Sequence, residues 1–82
     1  MRELWLYTTE GCHLCERAAA LVTPHLVEGR EQLVMVEISE SDDLVERYGV
    51  RIPVLRFSEH EEELAWPFDE PSLLRFLARH GE

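Results

Sequence analysis

The chain has 82 residues, of which 45% are hydrophobic, and a formal net charge of −9. A chain this short supports one small core, so a single domain over 1–82 is expected, and the apolar fraction excludes a disordered tail or a fibre. All eight positive side chains are Arg, and so acidic a balance argues against nucleic acid and anionic membrane, both of which require a basic surface. A basic protein partner remains compatible with it.

Glu3 to Tyr7 is rich in aromatic and large aliphatic residues and runs into Thr8-Thr9-Glu10-Gly11, which reads as a strand and a turn. From Cys12 to about Glu28, Cys15, Ala18, Ala19, Val22 and Leu26 recur at three- and four-residue spacing and lay one stripe along a helix. Pro24 lies inside that stripe and predicts a bend or an early end near Thr23, with Gly29 closing the segment. Leu33 to Ile38 is a nearly unbroken apolar run, as expected of a central strand covered on both faces and parallel to the first.

Ser41, followed by Asp42 and Asp43, caps a short helix whose Leu44, Val45 and Tyr48 face inward and which Gly49 stops. Val54 to Phe57 is a third strand, joined through a short polar connection to Glu63-Leu64-Ala65-Trp66, an antiparallel fourth. Asp69, Glu70 and Pro71 open a last helix with Leu73, Phe76 and Leu77 on one face, Arg75 and Arg79 toward its negative end and Gly81 as its stop. The fold class is therefore α/β, order β-α-β-α-β-β-α, a mixed four-stranded sheet with helices on both faces and a right-handed first crossover.

Cys12 and Cys15 are the two cysteines, and a loop so short staples no fold. The N-terminus has no apolar run long enough for a signal segment or a membrane span, so a cytoplasmic chain is expected, where a close cysteine pair reads as catalytic or metal-binding. The pair lies where the first strand hands over to the first helix. Unpartnered backbone N–H groups and the helix dipole favour a thiolate there, which makes Cys12 the candidate nucleophile. Cys15, one turn deeper on the same side, is the candidate resolving thiol. A zinc site is disfavoured, because His13, His25, His60 and His80 lack ligand spacing around the pair. His13 is read either as solvent-facing or as tuning the thiolate, and the other histidines as surface residues. Glu59-His60-Glu61-Glu62-Glu63 reads as a solvated hairpin tip, and Trp5, Trp66, Phe68 and Tyr7 as packing residues.

Taken together, these features resemble the thioredoxin-like superfamily in its compact glutaredoxin-type form, over nearly the whole chain. Leu6-Tyr7-Thr8, Gly11-Cys12-His13-Leu14-Cys15, Tyr48-Gly49-Val50-Arg51-Ile52-Pro53-Val54-Leu55 and Trp66-Pro67-Phe68-Asp69 resemble a group of small bacterial glutaredoxin-like proteins of poorly defined role. The resemblance implies a monomeric thiol-disulfide oxidoreductase acting on a protein or small-molecule disulfide. It also implies a cis bond before Pro53, with Ile52 and Pro53 forming the substrate corner beside the cysteines and the proline keeping metal off the thiolates. Arg51, His13 and Arg17 are the side chains it offers a substrate. In place of the Gly-Gly turn that holds glutathione in glutaredoxins stands Ala65-Trp66-Pro67-Phe68-Asp69, so no cofactor is expected and glutathione fits poorly. The alternative is a non-catalytic module that binds a protein partner, or an iron-sulfur cluster through Cys12.

Overall fold

A computed structural model describes residues 2–80. The elements are β1 (Arg2–Thr8), α1 (His13–Val22), β2 (Glu31–Glu37), α2 (Asp42–Tyr48), β3 (Val54–Phe57), β4 (Leu64–Ala65) and α3 (Glu70–His80), with short 3-10 turns at Thr23–His25 and Ile38–Glu40. The sheet order is β2-β1-β3-β4. β1 pairs parallel with β2 and antiparallel with β3, and β3 pairs antiparallel with β4, so the mixed four-stranded sheet follows the expected order. The stop expected at Gly81 lies outside the described residues.

Side chains alternate across a pleated strand, and here the alternation divides the core in two. Leu4 and Leu6 of β1 and Leu55 and Phe57 of β3 meet Ala18 and Val22 of α1 and Leu73 and Phe76 of α3. Tyr7 and Val54 point to the other face, where Tyr48 of α2 and Ile38 cover them. Complete burial of a large aliphatic side chain contributes about 1.5–3 kcal/mol. Leu4, Leu6, Leu55 and Leu73 have no exposed surface, so they anchor α1 and α3 to one side of the sheet.

The first helix ends at Val22, the early end that Pro24 predicts near Thr23; Pro24 lies in a 3-10 turn, the Thr23 hydroxyl donates to the Ala19 carbonyl at 2.7 Å, and Leu26 is already extended, beyond the helix. Two local readings are corrected. Leu33 to Ile38 is not a central strand: β2 spans Glu31–Glu37 at the sheet margin, with Met35 49% exposed, because β1 takes the centre by pairing on both sides. Val45 faces solvent while Leu44 and Tyr48 pack inward. Gly49 stops α2 as expected, in right-handed conformation, and a Cβ there would come within 2.5 Å of the Val45 carbonyl oxygen.

The acidic stretch after β3 is exposed at Glu59, Glu61 and Glu62, as expected of a hairpin tip, and it also carries bonds to the rest of the fold. Glu59 pairs with Arg2 at 2.8 Å, Glu62 bonds Arg79 and His80, and Glu63 bonds Tyr48 and Arg51. His60 and His80 pack together with ring centroids 4.8 Å apart, beside Phe57 and Phe76, and His25 meets Glu70 at 3.0 Å. The run thus fastens the hairpin to α2, α3 and β1.

Candidate active site at the start of the first helix

β1 delivers the chain to a tight turn in which the Cys12 amide donates to the Thr9 carbonyl at 3.3 Å. Gly11 makes the turn with φ +77°, a backbone region that residues with a Cβ adopt at a cost. Cys12 then serves as the N-cap of α1, and its Sγ accepts the Cys15 backbone N–H at 3.1 Å. Cys12 thus stands one residue before the helical turn in which the sequence pattern places it, and that position aims the sulfur at the amides that the helix leaves without an internal partner.

The cysteines have Cα atoms 5.2 Å apart and are joined as a disulfide, within the separation such a bond requires. Cys12 is half-exposed, whereas Cys15 is 1% exposed beneath it. His13 projects into solvent, with Nδ1 3.8 Å from a Glu16 carboxylate oxygen. Leu14, between the cysteines, is 42% exposed.

Sheet register brings the second part of the site alongside. Tyr7 of β1 lies opposite Val54 of β3, so the antiparallel strands carry Pro53 to the side of Thr8, at the start of the cysteine turn. The Ile52–Pro53 and Trp66–Pro67 peptide bonds are both cis. Pro53 is fully buried, its carbonyl accepts the Trp66 N–H at 3.0 Å, and Ile52 is half-buried. Val50, three residues before Pro53, is fully exposed.

Arg51 is held elsewhere. Its guanidinium bonds a Glu63 oxygen at 2.9 Å and lies 5.6 Å from the Tyr48 ring centroid. The Tyr48 hydroxyl donates to the other Glu63 oxygen at 2.5 Å, and the Tyr48 ring stacks on Tyr7 at 4.1 Å. Burial alone would raise the Glu63 carboxyl, but the bonds from Tyr48 and Arg51 hold it below its ordinary range. Tyr48 is pushed up by its burial and by its bond to Glu63. Tyr48 and Glu63 therefore position the loop that carries Ile52 and Pro53, a role absent from the sequence reading. The one available signal was that Glu63 directly precedes the apolar pair of the fourth strand. Arg17 stacks 5.9 Å over the Trp66 ring.

Among the described residues no group of three or more His, Cys, Asp or Glu side chains is arranged to hold a metal ion, and no helix is long and apolar enough to cross a membrane. A cavity of about 260 Å³ is lined by residues that include Trp5, Tyr7 and Tyr48, on the α2 side of the sheet and away from Cys12.

A strand leading into a half-exposed cysteine at a helix start, a second cysteine buried one turn on, and a proline just before the neighbouring strand define a thioredoxin-like fold with a dithiol site. The chain belongs to the glutaredoxin-like family: the model for the Glutaredoxin-like domain (DUF836) matches residues 3–78. It is similar to the X-ray structure of the Northeast Structural Genomics target protein XcR50 from X. campestris, with 36% identity, TM-score 0.79, and 93% of this chain and 96% of that one covered. Protein Ne2328 from Nitrosomonas europaea is also similar, at 29% identity and TM-score 0.75, with 92% and 89% covered. A mutant thioredoxin from Halobacterium salinarum NRC-1, 22% identical with TM-score 0.71 over 99% of this chain and 75% of that one, shares the fold. A comparison with curated proteins finds no match. The family and the cysteine pair at a helix start support a thioredoxin-like redox role.

Proposed function

We propose that the protein is a thiol-disulfide oxidoreductase in which Cys12 is the nucleophile and Cys15 the resolving thiol. The observation that carries this reading is the placement of Cys12 as the N-cap, with Sγ receiving a backbone N–H at 3.1 Å while Cys15 is buried behind it. In the reduced protein the same N–H, together with the positive end of α1, favours the Cys12 thiolate over the thiol.

That thiolate attacks one sulfur of a substrate disulfide; the substrate S–S bond breaks, the second substrate sulfur leaves as a thiol once protonated, and Cys12 is left in a mixed disulfide. Cys15, after losing its proton, attacks the Cys12 sulfur and releases the remaining substrate thiol. The substrate gains two electrons and the Cys12–Cys15 disulfide holds the oxidising equivalent. Ile52, in the loop that leads into β3 beside the cysteine turn, offers its backbone carbonyl to the substrate segment, since its amide and the Pro53 carbonyl are already bonded to Tyr48 and Trp66. A protein or small-molecule disulfide is the substrate class, and no cofactor is required by this chemistry.

Alkylation of Cys12 as a function of pH tests the reading, alongside disulfide reduction by the wild type and by the Cys12→Ser and Cys15→Ser variants. The expected results are a Cys12 pKa below the ordinary thiol value of about 8.5, no reduction by Cys12→Ser, and a trapped mixed disulfide with Cys15→Ser. An unshifted thiol in a protein that reduces no disulfide would overturn it.

A further inference from the structure

We propose that the disulfide taken at this site is a cationic one, whose thiol-bearing groups carry positive charge beside the sulfurs. The inference rests on the reading of Cys12 and Cys15 as a redox pair and adds the charge of the partner.

The parallel strands β1 and β2 end side by side, with Thr8 opposite Glu37. The turn that delivers Cys12 and the turn that leaves β2 therefore share one end of the sheet. Glu10 on the first turn and Glu40 on the second are exposed. Glu37 accepts the Ser39 backbone N–H at 2.9 Å. That bond, with smaller help from Thr9 and Glu10, holds its carboxyl below the ordinary range, so Glu37 is charged at neutral pH and reaches the cysteine turn itself. Glu16 is exposed in the first turn of α1. Glu10, Glu37 and Glu40 thus lie at the end of the sheet from which Cys12 starts α1, and Glu16 follows in the first turn of that helix.

Arg51 and Arg17, the arginines expected to serve a substrate here, are both engaged. Arg51, in the loop from Val50 to Pro53, is turned to Glu63 and Tyr48, and Arg17 lies over the Trp66 ring. The apolar surface at this end comes from Leu14 and Val50, the latter wholly exposed, and from half-buried Ile52. A negative rim around an apolar patch complements a basic group next to an apolar one, and such a field accelerates encounter with cations while slowing encounter with anions. Glutathione disulfide, an anion, meets repulsion on the same approach.

In the test, pre-reduced protein is mixed at low salt with cystamine (cationic), hydroxyethyl disulfide (neutral), oxidised glutathione (anionic) and a lysine-rich peptide disulfide. Each turnover converts the protein dithiol to its disulfide and one substrate disulfide to two thiols, followed by quenched alkylation. Rates are divided by those of dithiothreitol with the same disulfides, which removes intrinsic reactivity. The expected cystamine-to-glutathione ratio is about tenfold or more. It should collapse toward one in 1 M salt, where the screening length is about 3 Å, and fall several-fold in the Glu10→Gln/Glu16→Gln double variant. A peptide rate above that of cystamine assigns the cationic disulfide to a polypeptide; equal rates assign it to charge alone. A normalised ratio of one at low salt, or a ratio that the double variant leaves unchanged, overturns the inference. If none of the four disulfides oxidises the dithiol, it is the redox reading that fails.

Discussion

The Tyr48 hydroxyl donates a hydrogen bond to Glu63 at 2.5 Å, tying the end of α2 to the start of β4 across the loop that carries Ile52 and Pro53. The other Glu63 oxygen holds Arg51, and the Tyr48 carbonyl accepts the Arg51 and Ile52 amides at 2.8 and 3.0 Å. Both sides of the loop are thus fixed to one tyrosine. Glu63→Gln removes the charged acceptor and leaves the buried hydroxyl a weaker partner. A loss of roughly 1–3 kcal/mol is expected, read from the midpoint of urea unfolding. Disulfide reduction should slow while the rate of Cys12 alkylation holds, since the substrate loop is loosened and the helix start is untouched.

At high pH the same pair sets a limit. The Tyr48 hydroxyl is raised above its ordinary 10.0 in the folded protein. Above that value the unfolded chain loses the proton while the folded chain keeps it, so stability falls as pH rises. Tyr48→Phe should flatten this alkaline decline while lowering stability at neutral pH by about 1 kcal/mol. Thermal unfolding of the two proteins above and below pH 10 separates the effects.

On the acid side the sign reverses. The carboxyls of Glu37, Glu59, Glu62, Glu63 and Asp69 are held below their ordinary values, in Glu59 by its bond to Arg2, in Glu62 by its bond to His80 and in Asp69 by the Ser72 amide. Their contribution is complete above the ordinary 4.5 of Glu and is lost as pH falls through the folded values. Melting temperature should therefore be level near neutrality and drop below about pH 4.5. Added salt should shrink the part that comes from exposed pairs such as Arg2–Glu59.

Two backbone devices can be probed separately. Gly11→Ala finds open space for its methyl but keeps φ near +77°, at a cost of about 1–2 kcal/mol; a shifted Cys12 reactivity would report that the turn had moved. Asp69→Ala removes the cap on the Ser72 N–H at 2.9 Å and should cost roughly 0.5–2 kcal/mol without changing that reactivity.

Period and punctuation carried much of the fold into the sequence. The short apolar run from Val54 to Phe57, the Ser41 cap and Pro24 each act locally, and β3, the start of α2 and the end of α1 lie where they point. Edge or centre is a different kind of fact. The apolar run at Leu33 to Ile38 reads the same in either position, and only the pairing of β1 on both sides moves it outward. At the site, the cysteines were legible because their spacing is chemical information in itself. Glu63 was hidden because a carboxylate in an acidic run looks solvated until Tyr48, 15 residues earlier in the chain, is seen folded against it.

The marginal place of β2 bears on how the protein behaves when crowded. A seven-residue strand with half-exposed apolar side chains, Met35 among them, offers backbone groups along its outer side on which a second chain can template. Glu31 and Glu37 stand at its two ends, and the molecule as a whole carries −9, so neighbouring copies repel before their strands can register. The acidity therefore doubles as colloidal protection, and acidification toward charge neutrality would leave this strand as the first seam along which copies aggregate.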